Sequence, residues 1–235
     1  MALIQRLVRR LRDARLKART RRVRREGLTY LSLDKLRRLE AALAEIERKR
    51  VPGALIEFGV ALGGSAILIA RHAGSARVFH GFDVFAMIPP PTSQKDDDRS
   101  RERYAVIASG ASEGIGGNQY YGYRENLFDE VKASFARHGR PVDGDTIVLH
   151  RGLFEETVPH AAIGQIAFAH IDCDWFDPVT YCLDTVAAGL APGGLILIDD
   201  YHDYGGARVA VDEFLARRPE FVIDDGPNPI LRRRG

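Results

Sequence analysis

Four aspartates stand where two apolar runs stop: Asp172 and Asp174 in AFAHIDCDWFDP, and Asp199 and Asp200 in PGGLILIDDY. Short, continuous apolar runs of this kind read as buried strands of a parallel sheet. In open α/β sheets ligands bind outside the carboxyl ends of the strands, so both acidic clusters are placed at one crevice. Carboxylates crowded together repel and raise one another's pKa values unless a cation offsets them. Asp172, Asp199 and Asp200 are hard oxygen donors of the type magnesium or calcium takes, and no Cys/His pair with zinc spacing lies nearby. The competing reading, acids that cap the following helices, accounts for Asp174 or Asp177 singly and poorly for the cluster. The chemistry indicated is a divalent metal beside a bound cofactor.

A second set of residues surrounds that crevice. The segment Glu57-Phe-Gly59-Val-Ala-Leu-Gly63-Gly64-Ser65 follows a strand and opens a helix. Glycines there let the backbone approach a ligand, and the helix N-terminus offers free N–H groups. The spacing is not GxGxxG, and the acid Glu57 suits a cationic or hydroxyl-rich ligand better than a pyrophosphate. Asp83, at the end of the next strand, is placed to accept from both ribose hydroxyls, with turn capping as the alternative. In HRGLF, Gly152 and Phe154 offer a wall for an adenine ring; a core role for Phe154 competes. His202, two residues past Asp200, is a candidate base or further metal contact, set against an ordinary surface histidine. His170, inside the strand, reads as a satisfied core residue. Tyr120, Tyr121 and Tyr123 are spaced to line a saccharide from one loop, or to pack that loop against itself.

The elements that must position these groups alternate. SLDKLRRLEAALAEIERK (32 to 49) keeps Leu36, Leu39, Leu43 and Ile46 on one face behind a Ser or Asp cap, which predicts a helix. Strands follow over 54–60, 76–85, 146–152, 165–172 and 194–200, with helices opening after Gly64 and over 127–138, 178–190 and 207–218. Short strands near 221–223 and 229–233 finish the sheet. This βαβ alternation predicts one doubly wound, Rossmann-like α/β domain over 51–235, preceded by an N-terminal helical arm over 1–50. Residues 86–126 break the pattern at a length unusual for a plain connection, which predicts a lid over the substrate.

Composition narrows the class. With 235 residues and 45% hydrophobic content the chain supports one sizeable core. Only five of its 34 basic residues are lysine, and residues 1–26 hold ten arginines and Lys17 against Asp13 and Glu26. Leu3, Leu7, Leu11, Ala14 and Ala18 recur at helical spacing within that stretch, giving a basic amphipathic helix. It packs on the body or a second subunit, or touches an anionic membrane surface; no nucleic-acid reading motif accompanies it. Two cysteines, Cys173 and Cys182, read as reduced packing residues. No apolar stretch reaches the ~18 to 20 residues that cross a bilayer, and the charged start lacks a signal-peptide core. The expected compartment is the cytoplasm, including the inner face of its membrane.

The motifs IEFGVALGGSA, GFDVF, RGLFEETVP, HIDCDWFDPVTYCLDTV, LAPGGLILIDDY and GARVAVDEF together resemble the macrocin O-methyltransferase family, class I enzymes that use S-adenosylmethionine, over residues 50 to 232. Departures are Cys173 between the two acids, where the family carries glycine, Trp175-Phe176 in place of its tyrosine, and the lid with YYGY. The resemblance implies that Asp172, Asp199 and Asp200 bind Mg2+, that Asp174 is the general base, and that Glu57, Gly59, Gly63, Ser65 and Asp83 hold the cofactor. It also implies a homodimer and a saccharide acceptor, either a glycosylated small molecule or an oligosaccharide precursor. Rival readings are a catechol methyltransferase, a nicotinamide-dependent sugar-modifying enzyme, which the missing GxGxxG disfavours, and a binding module, which leaves the aspartates unexplained.

Overall fold

The protein was analysed as a computed structural model, which describes residues 16–74 and 77–234. The predicted amphipathic helix over the first residues therefore lies largely outside the described part. What is described of the arm is α1 (Ala18–Arg25), whose Val23 and Thr20 are buried against the body, and α2 (Leu33–Arg48). Ser32 caps α2 by accepting from the Lys35 N–H, and Leu36, Leu39, Leu43 and Ile46 form its buried stripe. The period of the sequence pattern thus becomes the packing face.

Next come β1 (Ala54–Phe58), α3 (Gly64–Ala70), β2 (Phe79–Asp83), α4 (Asp98–Ala108) inside the lid, α5 (Leu127–Arg137) and β3 (Ile147–Arg151). The second half holds the one-turn α6 (Phe154–Thr157), β4 (Ile166–Ile171), α7 (Phe176–Gly189), β5 (Leu190–Ile198), α8 (Gly205–Arg217), β6 (Phe221–Asp224) and β7 (Ile230–Arg233). Seven strands form one sheet in the order β3-β2-β1-β4-β5-β7-β6. The first five are mutually parallel, and β7 runs antiparallel to both β5 and β6. The order reverses between β1 and β4, so the crevice for a ligand opens at their carboxyl ends.

Each sheet face is covered. Leu55, Leu195 and Leu197 point to the layer of α2, α3 and α5, while Ile56, Phe58, Ile196 and Ile198 point to α7 and α8. Burial on both faces explains why these strands read as continuous apolar runs rather than as alternating ones. The described helices include none long and apolar enough to cross a membrane.

Candidate functional site

A cleft of about 690 Å3 opens at the strand ends, lined by the β1–α3 turn, the ends of β4 and β5, and the lid. Its size lies within the range of small-molecule and cofactor sites. Two chain crossings set its floor. The Asp172 N–H donates to Phe58 O and the Asp199 N–H to Ile171 O, each 2.9 Å, so the acids step off the sheet in register. Gly59 takes φ +87°, and a Cβ on it would lie 1.7 Å from Asp172 O. Only glycine permits the first turn to pass this close to the acidic cluster.

The four aspartates do converge. Carboxylate oxygens of Asp172, Asp174 and Asp200 lie within 4.8 Å of one another, as do those of Asp199, Asp200 and Asp203. The Asp174 N–H donates to Asp200 Oδ2 at 3.0 Å, and Asp174 itself holds φ +61°. Burial raises the pKa of Asp172 and of Asp200 well above the carboxylate range, and the neighbouring acids add to it. Asp174 is pushed up to about 7 by burial and by the charge of Asp199. Asp199 keeps one buried oxygen, Oδ1, without a hydrogen-bond partner. Carboxylate oxygens predominate, with His170 the nitrogen donor grouped with Asp172 and Asp199, and this set with the buried orphan acceptor of Asp199 fits a hard divalent cation. The local charge is partly offset by Lys35 of α2, whose Nζ is 2.7 Å from both Asp199 Oδ2 and Asp203 Oδ2.

On the cofactor side, Gly59, Ser65, Asp83 and Phe154 all line the cleft. Asp83 accepts from the Ala61 N–H (Oδ2, 2.9 Å) and the Phe85 N–H (Oδ1, 2.5 Å), so the acid shapes the very turns that frame the cofactor space. Ala61, Phe85 and Asp174 each adopt positive φ without being glycine, a concentration of backbone strain at one place. Gly152, at φ +146°, turns the chain from β3 toward Phe154, whose ring sits edge-on to Phe58 at 5.3 Å.

Several expected residues are placed elsewhere. Glu57 is fully buried beneath the turn, where His170 Nδ1 lies 2.8 Å from its Oε1; burial raises the Glu57 pKa against the effect of His170. Gly63 faces Val131 and Phe135 of α5 rather than the cleft. His202 points outward to Asp225 and the Gly226 carbonyl. Of the lid tyrosines, Tyr120 and Tyr121 line the cleft, whereas the Tyr123 hydroxyl donates to Ile107 O and accepts from the Ser112 N–H, pinning the lid to α4. Cys173 and Cys182 are free and buried.

Residues 86–126 are tied to α7 and α8 by contacts that no local sequence pattern shows, among them Lys95 with Glu213. Trp175 Nε1 donates to Pro89 O at 2.9 Å, and Thr92 Oγ1 to Asp177 Oδ2 at 2.7 Å. Asp96 Oδ1 accepts the Phe176 N–H at 2.8 Å, and Asp97 Oδ2 accepts the Gly205 N–H at 3.0 Å, so each carboxylate satisfies a free N–H at the start of a helix. Gly206 lets this happen, since a Cβ there would lie 2.0 Å from Asp96 Oδ1. The acidic run DDD ahead of RSRERYAVIA was the one available signal.

Comparison with known proteins fits this geometry. The family profile described as Macrocin-O-methyltransferase (TylF) matches residues 5–222. An 8-demethyl-8-(2,3-dimethoxy-alpha-L-rhamnosyl)-tetracenomycin-C 4'-O-methyltransferase of Streptomyces olivaceus is 28% identical over 191 residues, spanning 76% of this chain and 67% of the relative. A demethyldecarbamoylnovobiocin O-methyltransferase of Streptomyces niveus is 24% identical over 198 residues, 80% of this chain and 68% of the relative. Among solved structures, the O-methyltransferase NovP superposes with a TM-score of 0.70 at 23% identity, covering 88% of this chain and 82% of its own, which shows the shared fold.

Proposed function

Because the chain belongs to the macrocin O-methyltransferase family, it is an S-adenosylmethionine-dependent O-methyltransferase, and we propose that it methylates a hydroxyl of a sugar with Mg2+ held by Asp172, Asp199 and Asp200. The observation that carries this reading is the convergence of four carboxylates on a cleft whose other wall is the Gly59 turn. The relative named for a rhamnosyl-bearing tetracenomycin supports the acceptor class.

S-adenosylmethionine supplies an already activated methyl group, so the protein's task is largely alignment. Asp172, Asp199 and Asp200 would hold Mg2+, which would supply Lewis acidity that lowers the pKa of the acceptor hydroxyl. The Gly59 turn leaves backbone room for the cofactor, Ser65 stands at the N-terminus of α3, and Asp83 and Phe154 flank the same space. Asp174 is the base: burial and the charge of Asp199 raise its pKa above the ordinary carboxylate value, which strengthens its hold on a proton taken from the acceptor hydroxyl. Its positive φ and its backbone bond to Asp200 fix where that carboxylate points. Tyr120, Tyr121 and Trp175 wall the acceptor side, and the fastened lid keeps bulk water from the reacting atoms.

The N-terminal segment supports two further proposals, a homodimer and contact of residues 1–26 with an anionic membrane surface; we place the enzyme in the cytoplasm or at the inner face of its membrane. Calorimetric titration of S-adenosylhomocysteine with and without Mg2+, beside Asp199→Ala, tests the central reading. Micromolar binding of the cofactor product in both proteins, with metal binding lost in the variant, is the expected result. Absence of S-adenosylhomocysteine binding under every condition overturns it.

A further inference from the structure

Among the described residues three cations line the cleft, Lys35, Arg99 and Arg103, and several basic residues of the neighbouring segments are committed elsewhere. Lys35 is held by Asp199 and Asp203, Lys95 by Glu213, Arg124 by Glu130, and Arg101 by the carbonyls of Ser93, Gln94 and Asp96. Two are not. Arg99 and Arg103, one turn apart on α4, both line the cleft, and among the described residues neither donates a hydrogen bond nor has a carboxylate partner. Their guanidinium groups lie over aromatic faces instead, Arg99 5.7 Å from the Tyr204 ring and Arg103 5.7 Å from the Tyr120 ring. Stacking of this kind holds a guanidinium plane in place and leaves its N–H fork free.

The position matters as much as the charge. Arg103 shares the cleft wall with Tyr120, over whose ring it lies, and its charge acts on Asp174, Tyr120 and Tyr204. Arg99 lies over Tyr204 at the start of α8, whose ring packs edge-on against Trp175 of the acceptor wall at 5.2 Å. The pair therefore faces the acceptor and not the cofactor. Residues i and i+4 share a helix face about 6 Å apart, so two forks converge on one space. Arginine is the residue suited to bidentate contact with phosphate. In a cleft floored by four carboxylates, a neutral glycoside needs no such cations, whereas an anionic acceptor would be repelled without them.

We propose that Arg99 and Arg103 form a subsite for the phosphoryl group of the acceptor, so that the substrate is a glycosyl phosphate or diphosphate rather than a neutral glycoside. This rests on the methyltransferase reading above. It also fixes the place of the reaction: the sugar is methylated while it still carries its anomeric phosphate, before a glycosyl-transfer reaction consumes it.

The test is calorimetric titration of the full chain, loaded with S-adenosylhomocysteine, with dTDP-rhamnose, rhamnose 1-phosphate and methyl α-L-rhamnopyranoside. Arg103→Met and the double variant Arg99→Met/Arg103→Met are compared with the parent. Binding of a phosphorylated sugar that weakens at least tenfold in Arg103→Met, further in the double variant, and with rising salt is the expected result. Response to both phosphorylated sugars assigns the subsite to a single phosphate, and response to dTDP-rhamnose alone assigns it to the diphosphate. Equal affinity of parent and variants for the phosphorylated sugars, absence of binding by either, or comparable binding of the neutral glycoside overturns the inference. Loss of S-adenosylhomocysteine binding by the parent overturns the methyltransferase reading instead, so the two failures are distinct.

Discussion

Lys35 Nζ lies 2.7 Å from Asp199 Oδ2 and 3.0 Å from the Asp199 carbonyl oxygen, bringing a residue of the N-terminal helix onto the acid at the end of β5. Burial alone would lower the lysine pKa, but Asp199 and Asp203 overcome this and raise it, so the ammonium is a fixed counter-charge. It competes with a metal for the same carboxylate. Removing one partner of a largely buried ion pair leaves the other charge uncompensated. Lys35→Met is therefore expected to destabilise the metal-free protein by roughly 1 to 3 kcal/mol and to bind Mn2+ or Mg2+ more tightly. Urea denaturation in EDTA and calorimetric metal titration read the two effects separately. Weaker metal binding in the variant would show that Lys35 organises the acids rather than competing for them.

The base assignment leads to a variant with little risk to the fold. Asp174 has φ +61°, a conformation that asparagine adopts readily, and its structural contact to Asp200 is made by its backbone N–H. Asp174→Asn keeps that backbone geometry and removes the ability to take a proton together with one negative charge of the cluster. Turnover is expected to fall by ~10^2 to 10^4, with S-adenosylhomocysteine affinity within twofold of the parent. A variant that retains a tenth or more of its turnover would move the base to another group.

These two residues also show what the sequence revealed and what it did not. The aspartates were legible because each ends an apolar run, and strand ends in such a sheet face one crevice. Lys35 and Asp199 are 164 positions apart, and no local pattern joins them. Glu57 looked like a cofactor ligand from its place in the first turn. The register of β1 on β4 sets it opposite His170 inside the sheet, and register is not written in a single strand. His202 is close to Asp200 in sequence, but the tight turn over Asp200–His202 rotates it to the far side. Strand β5 begins at Leu190, four residues before the expected start, because PGG is carried within the strand by Gly193 at φ +79°, with a register shift against β4. The lid was located by its irregularity, yet its fastening depends on partners in α7 and α8 that only folding brings near.

That fastening is testable through Asp97. One oxygen caps α4 by accepting the Ser100 N–H at 2.9 Å, and the other accepts the Gly205 N–H at the start of α8. Asp97→Ala removes both, and loss of a helix cap costs about 1 to 2 kcal/mol. Because α4 also carries Arg99 and Arg103, the looser lid is expected to raise the acceptor KM severalfold while leaving the cofactor KM nearly constant. Limited proteolysis should cut the variant faster within residues 86–126. Equal proteolysis rates in variant and parent would show that the remaining Trp175–Pro89, Thr92–Asp177, Asp96–Phe176 and Lys95–Glu213 contacts suffice to hold the segment.

The acid side of the stability profile is predicted by His80. It sits in β2 with its ring stacked on Phe82 and His150, and its Nδ1 is 3.0 Å from His150 Nε2. Burial, reinforced by the charge that His150 would carry, pushes its pKa down to about 4 from an ordinary 6.5. Above pH 6.5 neither the folded nor the unfolded chain protonates this ring, and its contribution to stability is fully present. Between 6.5 and 4 the unfolded chain takes up a proton that the folded one refuses, so stability falls as the pH falls. The loss at pH 4 is on the order of 2 kcal/mol, less than the full shift implies because the ring edge meets the half-buried His150. His80→Phe keeps a flat ring in the stack and removes the titration. Urea unfolding at pH 7.5 and pH 5 should show a smaller pH-dependent loss in His80→Phe than in the parent. Identical loss in both proteins would assign the acid sensitivity to the carboxylates of the cleft instead.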